Sequence, residues 1–194
     1  KPVNMKGFWN YNGHISYGFP INFIKCNFNI GANASYSKSP AILNGVVNES
    51  TRNSYGANAS INSNISQYVS FNIGYSANYN DVVNTMSNNG NNEYIQHRAH
   101  GSVNVVFGFG LTLRANANYS EYVGISENAK RQNNSELIAN FSIGMKAFKK
   151  LGEFQLVAND IFNRETGYSR SWNTLYMQSS TRSVIGRYFG IRFT

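Results

Sequence analysis

Hydrophobic positions recur at every second residue along this chain. From Val69 to Asn80 the odd positions are Val69, Phe71, Ile73, Tyr75, Ala77 and Tyr79, and the even ones are Ser70, Asn72, Gly74, Ser76, Asn78 and Asn80. Successive side chains of a β-strand point to opposite sides, so this alternation gives one apolar and one polar face. A helix would scatter the same residues around its circumference. These twelve residues exceed the usual strand of about 5–6 residues. They match the roughly 9–11 residues that a tilted strand needs to cross a bilayer.

The same period predicts nine strands. The first runs from Phe8 to Tyr17, the second from Asn22 to Tyr36, the third from Asn53 to Ile65 and the fourth from Val69 to Asn80. The fifth spans Glu93 to Phe107, the sixth starts at Leu111 and reaches Tyr119, and the seventh spans Asn134 to Phe148. The eighth, with less clean alternation, covers Glu153 to Asn163, and the last covers Thr181 to Thr194. Connections alternate in length: short near Gly18, Gln67, Gly108 and Lys150, long near Asn44, Asn89, Asn128 and Thr174. Gly18-Phe19-Pro20 reads as the first tight turn, and Ser37–Arg52 as the first long loop. Short turns on one side and long loops on the other is the organisation of an outer-membrane barrel, the short turns being periplasmic.

Aromatic residues gather at strand ends. Toward the short turns lie Tyr17, Phe23, Tyr68, Phe107, Phe109, Phe148 and Phe193; toward the long loops lie Trp9, Tyr36, Tyr55, Tyr79, Tyr94 and Tyr119. Two such belts fit the two membrane interfaces. Strand middles carry Ile, Val, Leu, Ala and Met. The fold expected is therefore all-β, an antiparallel transmembrane barrel. Nine is an odd number where bacterial single-chain barrels have even counts, and lipid does not tolerate open sheet edges. The chain is accordingly read as part of a larger barrel.

Composition agrees. Aromatics make up 14% and charged residues 13%, where about 25% charged is ordinary for soluble domains. Mean hydropathy is nonetheless −0.40, because Asn, Ser and Gly fill the polar register. No run of 18 apolar residues occurs, which excludes a transmembrane helix and leaves a barrel untouched. No signal peptide is visible at Lys1, as expected of a mature chain or an internal fragment. The net charge of +8 is dispersed, with one cluster at Lys146, Lys149 and Lys150 beside a tight turn. No nucleic-acid signature accompanies it, and no nucleic-acid partner is expected.

Candidate chemistry is sparse. His97 and His100 stand three apart on a strand, so they face opposite sides and cannot share a metal. Cys26 is alone, which rules out an internal disulfide, and it falls in an apolar register. Asp81, Glu121 and Glu127 read as solvated loop charges, and Asp160 with Asn163 reads as the pair that orders a strand-end turn. No nucleophile motif is present, so neither an enzyme nor a cofactor is expected. Asn-x-Ser triplets such as Asn58-Ala59-Ser60 follow from the polar register. What remains is the polar face itself. Asn10, Asn12, Asn27, Asn29, Asn58, Asn62, Asn72, Arg114, Asn116 and Asn118 would line a lumen and offer amide donors and acceptors to water, a plug or a polar solute.

Three stretches resemble the C-terminal portion of Bacteroidetes-type outer-membrane barrels of the TonB-dependent receptor superfamily. They are Gly18-Phe19-Pro20 with the following loop Tyr36-Ser37-Lys38-Ser39-Pro40 to Asn44-Gly45; Val157-Ala158-Asn159-Asp160-Ile161-Phe162-Asn163; and Arg187-Tyr188-Phe189-Gly190-Ile191-Arg192-Phe193. The resemblance spans the whole chain, read as one unit, residues 1–194. It implies a 22-stranded barrel, an N-terminal plug and a TonB partner, and neither plug nor TonB box lies in these residues. It also implies that the terminal aromatic is read by the assembly machinery; Thr194 after Phe193 departs from an aromatic final residue, which leaves open whether Thr194 is the natural end.

The function expected is a multi-pass outer-membrane barrel segment of a receptor that takes up a solute, embedded in outer-membrane lipid. The alternative is a structural or adhesive barrel subunit of an envelope complex, with a surface lipoprotein or another envelope protein as partner. A soluble sandwich or lectin-like domain is the third reading, and the paired aromatic belts oppose it.

Overall fold

Backbone pairing rather than burial organises this molecule. In a computed structural model, nine strands join into one antiparallel sheet in the order β1-β2-β3-β4-β5-β6-β7-β8-β11. The structure describes residues 5–43, 45–63, 65–85, 91–130, 133–147, 152–172 and 177–194. The strands are β1 (Trp9–Ile21), β2 (Cys26–Leu43), β3 (Val46–Ser63), β4 (Val69–Asn84), β5 (Asn92–Val106), β6 (Leu111–Gly124), β7 (Asn134–Ala147), β8 (Gly152–Asn159) and β11 (Tyr188–Phe193). A separate ribbon of β9 (Tyr168–Trp172) and β10 (Met177–Thr181) stands in the link between β8 and β11. The described helices are a 3-10 turn at Asn22–Ile24 and one helical turn, α1 (Glu127–Lys130). Neither is long or apolar enough to cross a membrane.

Register fixes the faces, because residues directly opposite on neighbouring strands share a side. One face carries Tyr17, Ile30, Ala59, Tyr75, Ala99, Tyr119 and Leu137 in successive cross-strand pairs. Among the described residues no second layer covers it: Ile15 is 71% exposed, Ile73 55%, Leu156 58% and Ile191 79%. Water would drive so large an apolar surface into a core; hydrocarbon does not. On β4 the apolar run extends from Val69 to Tyr79 before Asp81 ends it. Ten steps of about 3.3 Å, tilted by about 40°, span about 25 Å, the height of a barrel's lipid band.

The sheet has the nine strands expected, β9 and β10 are additional, and several boundaries move. Ser37–Arg52 is not a loop. β2 and β3 continue to pair as far as Leu43 and Val46, and Gly45, at φ 81°, lies in the turn. Pro40 sits inside β2 opposite Glu49, beyond the last β1 pair at Lys38, so its missing N–H removes no bond to β1. Gly18-Phe19-Pro20 is strand too, paired with Asn29, Phe28 and Asn27; the turn lies at Asn22–Ile24, closed by Lys25 at φ 50°. The last strand begins only at Tyr188, and β9 and β10 occupy ground read as loop and strand start.

Candidate functional site

The polar face is a continuous hydrogen-bonding wall. Asn27, Asn62, Asn72, Ser102, Asn116 and Asn140 lie in register across β2 to β7. The Asn72 amide donates to Asn62, and the Asn140 amide donates to Asn116 Oδ1 at 3.0 Å. Asn140 Oδ1 in turn accepts the Asp160 N–H at 2.9 Å.

Glycines flatten this wall. A Cβ on Gly18 would meet Asn29 Oδ1 at 2.5 Å, and one on Gly31 would meet Asn58 Oδ1 at 2.8 Å. Gly56 seats both Asn33 and Asn78, and Gly74 seats the His100 ring. The larger polar side chains therefore lie across the sheet.

Two denser clusters mark its ends. Near the short-turn end, Arg114 grips Glu153 with two hydrogen bonds of 3.0 Å, and the Thr112 hydroxyl also donates to Glu153. A two-pronged pair of this kind fixes both partners in orientation. Above it, Arg114, Asn116, Asn140, Gln155, Asn159 and Arg192 border a recess of about 370 Å³.

At the long-loop end the polar face turns dry. Tyr94 and Tyr122 stack with ring centroids 4.8 Å apart, and with Val82 and Ala129 they form a small buried cluster. α1 covers it from the β6–β7 link: a Cβ on Gly124 would fall within the Ala129–Lys130 peptide. The Gly124 N–H donates to Asn133 Oδ1 at 2.8 Å, and the Ile125 N–H to the Glu93 carbonyl at 2.8 Å.

Asp160 and Asn163 build the turn that ends β8. Asp160 is 1% exposed, and its carboxylate accepts the Arg164 and Glu165 N–H groups at 3.0 and 2.9 Å. Asn163 Oδ1 accepts the Arg187 N–H at 2.9 Å, tying the turn to the chain returning toward β11. Both residues have positive φ, 45° and 53°, where Asp and Asn are the side chains best tolerated after glycine.

With this geometry in place, the family comparison decides the class. The model of the outer membrane protein beta-barrel family matches residues 3–194. The chain belongs to that family. Comparison with curated proteins and with solved structures gave no match. The two faces then have assigned solvents: in an outer-membrane barrel the apolar face meets lipid.

The ten expected lumen residues Asn10, Asn12, Asn27, Asn29, Asn58, Asn62, Asn72, Arg114, Asn116 and Asn118 share the polar face. Of the expected interface aromatics, Trp9, Tyr17, Tyr36, Tyr55, Tyr79, Tyr119 and Phe193 lie on the apolar face. Tyr68 and Phe107 sit in short links, and Phe148 falls outside the described residues. Rings pair across or along strands, Tyr55 with Tyr79 at 6.4 Å, Tyr11 with Tyr36 at 6.2 Å, and Phe154 with Phe193 at 4.8 Å. Tyr94 is a correction. It pairs with Asn80 and Gly124 on the polar face and belongs to the buried cluster, not to a belt.

His97 and His100 do face opposite sides: the Tyr75 hydroxyl lies 2.7 Å from His97 Nδ1 on the apolar face, and His100 lies over Gly74. Among the described residues no group of three potential metal ligands occurs. The residues that sequence reasoning passed over are Glu153, Gln155 and Asn159. Their signal was the polar alternation Glu153, Gln155, Val157, Asn159 on β8, interrupted by one valine.

Proposed function

We propose that this chain forms part of the wall of a TonB-dependent type receptor, a barrel whose polar face bounds an aqueous path for a solute. The observation that supports this reading is the in-register polar row from Asn27 to Asn140, five amides and Ser102. A polar wall six strands wide suits an interior that holds water or a plug. By the family resemblance, an N-terminal plug fills the lumen at rest and TonB supplies energy. The short links then face the periplasm, and the β2–β3 hairpin and the β9–β10 ribbon meet solute first.

Solute uptake in cells with and without the gene, and with and without TonB, tests this. Loss of uptake of the same solute in both strains supports the reading. Deleting 168–181 should reduce solute binding at least several-fold while heat-modifiable, folded barrel persists; unchanged binding would count against the receptor role. One observation favours a structural or adhesive role instead. The β2–β3 hairpin ends in Ile42, Val46 and Val47, 46%, 54% and 55% exposed above the apolar band, and exposed apolar tips suit a protein partner. Uptake indifferent to gene loss, with a partner released by Val46→Asp and Val47→Asp, would establish that role.

A further inference from the structure

Charge is divided between the two faces of the sheet. On the apolar side, the charged residues of the nine strands are Lys38, Glu49, Asp81, Glu93 and Glu121, one base against four acids. All stand at the long-loop end beyond the apolar run. On the polar side they are Arg52, Arg98, Arg114, Lys146 and Arg192 against Glu136 and Glu153, five bases against two acids.

Of the two polar-face acids, one is neutralised by an ion pair and the other, bonded to neutral groups, keeps its charge. Glu153 is held by Arg114. Glu136 accepts the backbone N–H and hydroxyl of Thr166 at 2.8 and 3.1 Å. Arg52 donates only to a neutral amide, Asn80 Oδ1, at 2.8 Å. Among the described residues, Arg98, Lys146 and Arg192 form no ion pair. These three bases sit on β5, β7 and β11; Glu136 stands in register with Arg98 across β6, and the face as a whole keeps an excess of bases over acids. The recess between Arg114 and Arg192 has four amides and no acid on its rim. A cleft of one charge sign backed by a low-dielectric wall concentrates field lines and enriches counter-ions. Here the lipid behind the sheet is that wall.

We infer that the polar face is an anion-attracting surface and that the solute it meets carries net negative charge, with Arg98 and Arg192 as its principal attractors. This rests on the transporter reading in one respect, that the polar face meets solute.

The test uses the full-length protein in outer-membrane vesicles and does not require transport. Ser76 lies directly opposite Arg98. In a Cys26→Ser background, Ser76→Cys is reacted with methanethiosulfonates bearing a sulfonate or a trimethylammonium group. The ratio of the two rates is compared with the same ratio for β-mercaptoethanol in solution. Should Cys26→Ser assemble poorly, Cys26 is retained, since it is 3% exposed, and its background rate is subtracted.

At low salt the ratio at position 76 should exceed the solution ratio by about tenfold. It should fall toward the solution value in molar salt, and fall likewise in Arg98→Gln with Arg192→Gln. A ratio equal to or below the solution value overturns the inference. So does a cysteine that reacts with neither reagent, since a face sealed by packed protein meets no solute. A lost bias with uptake intact removes the inference and leaves the transporter reading; a bias intact without uptake does the reverse.

Discussion

Glycine and asparagine act as a pair on the polar face. Gly56 lies under the side-chain oxygens of both Asn33 and Asn78, so a methyl there forces two amides off the wall. Gly56→Ala should cost about 1–3 kcal/mol, the ordinary penalty of overpacking, read as a lower urea midpoint in micelles or liposomes. Gly13, on the other face, has open space beside it: an added methyl carbon would find its nearest atom, the Ala34 carbonyl oxygen, 3.9 Å away. Gly13→Ala should be neutral or stabilise by up to about 1 kcal/mol, since it only restricts the unfolded chain. Asp160 is a different kind of residue, a buried carboxylate whose partners are two backbone N–H groups. Asp160→Ala leaves both without an acceptor and puts a methyl-bearing residue at φ 45°; the expected loss is about 2–3 kcal/mol. Asp160→Asn keeps one acceptor and the tolerance of positive φ, and should lose about 1 kcal/mol. Equal losses for both variants in the same urea titration would mean that the turn depends on something other than these hydrogen bonds.

At the scale of the strand, the decisive property is which side faces lipid. Ile73 sits mid-run on the apolar face opposite Gly101, and Ser102, the next residue along β5, sits on the polar face opposite Asn72. Ile73→Arg should destabilise the folded barrel by about 2–4 kcal/mol, the cost of a guanidinium at the bilayer midplane. Ser102→Arg should be tolerated within about 1 kcal/mol, because its side chain reaches water. Guanidinium titration of both variants in one lipid system checks the contrast, and equal penalties would contradict the assigned faces. The alternation from which those faces follow was legible in the chain because nearly every strand interior keeps it, β8 least cleanly. Strand ends were not. Ser37–Arg52 looked like loop because Pro40 and Asn44-Gly45 are breakers, yet beyond the reach of β1 a proline removes no bond to that strand, and the hairpin runs on. The position of Tyr94 was hidden for another reason. Parity along β5 places it on the polar face beside Gln96 and Arg98, while its aromatic character suggested a belt. Only the α1 turn folding over Gly124 supplies the dry surroundings that a polar-face tyrosine pair needs. The amide row itself required register, which no single strand contains.

For the molecule as a whole, the unfinished matter is its two edges. β1 pairs with β2 and β11 with β8, and among the described residues neither strand has a partner on its other side. In an antiparallel sheet, neighbouring residues direct their N–H groups to alternate sides, so one partner engages only half of an edge strand's amides. The rest of β1 from Tyr11 to Tyr17 would then face hydrocarbon, where each unsatisfied peptide group costs several kcal/mol. Pro20 relieves one such group near the end of β1, and nothing comparable protects its middle. We therefore expect both edges to be paired in the membrane, by further strands or by each other. Residue-resolved hydrogen exchange on the native protein in outer-membrane vesicles measures this directly. Consecutive amides along Trp9–Ile21 and Tyr188–Phe193 should be protected as strongly as those of β4, which has partners on both sides. Protection at alternate residues alone would show an edge that water reaches, and the lipid-facing assignment of β1 would fall with it.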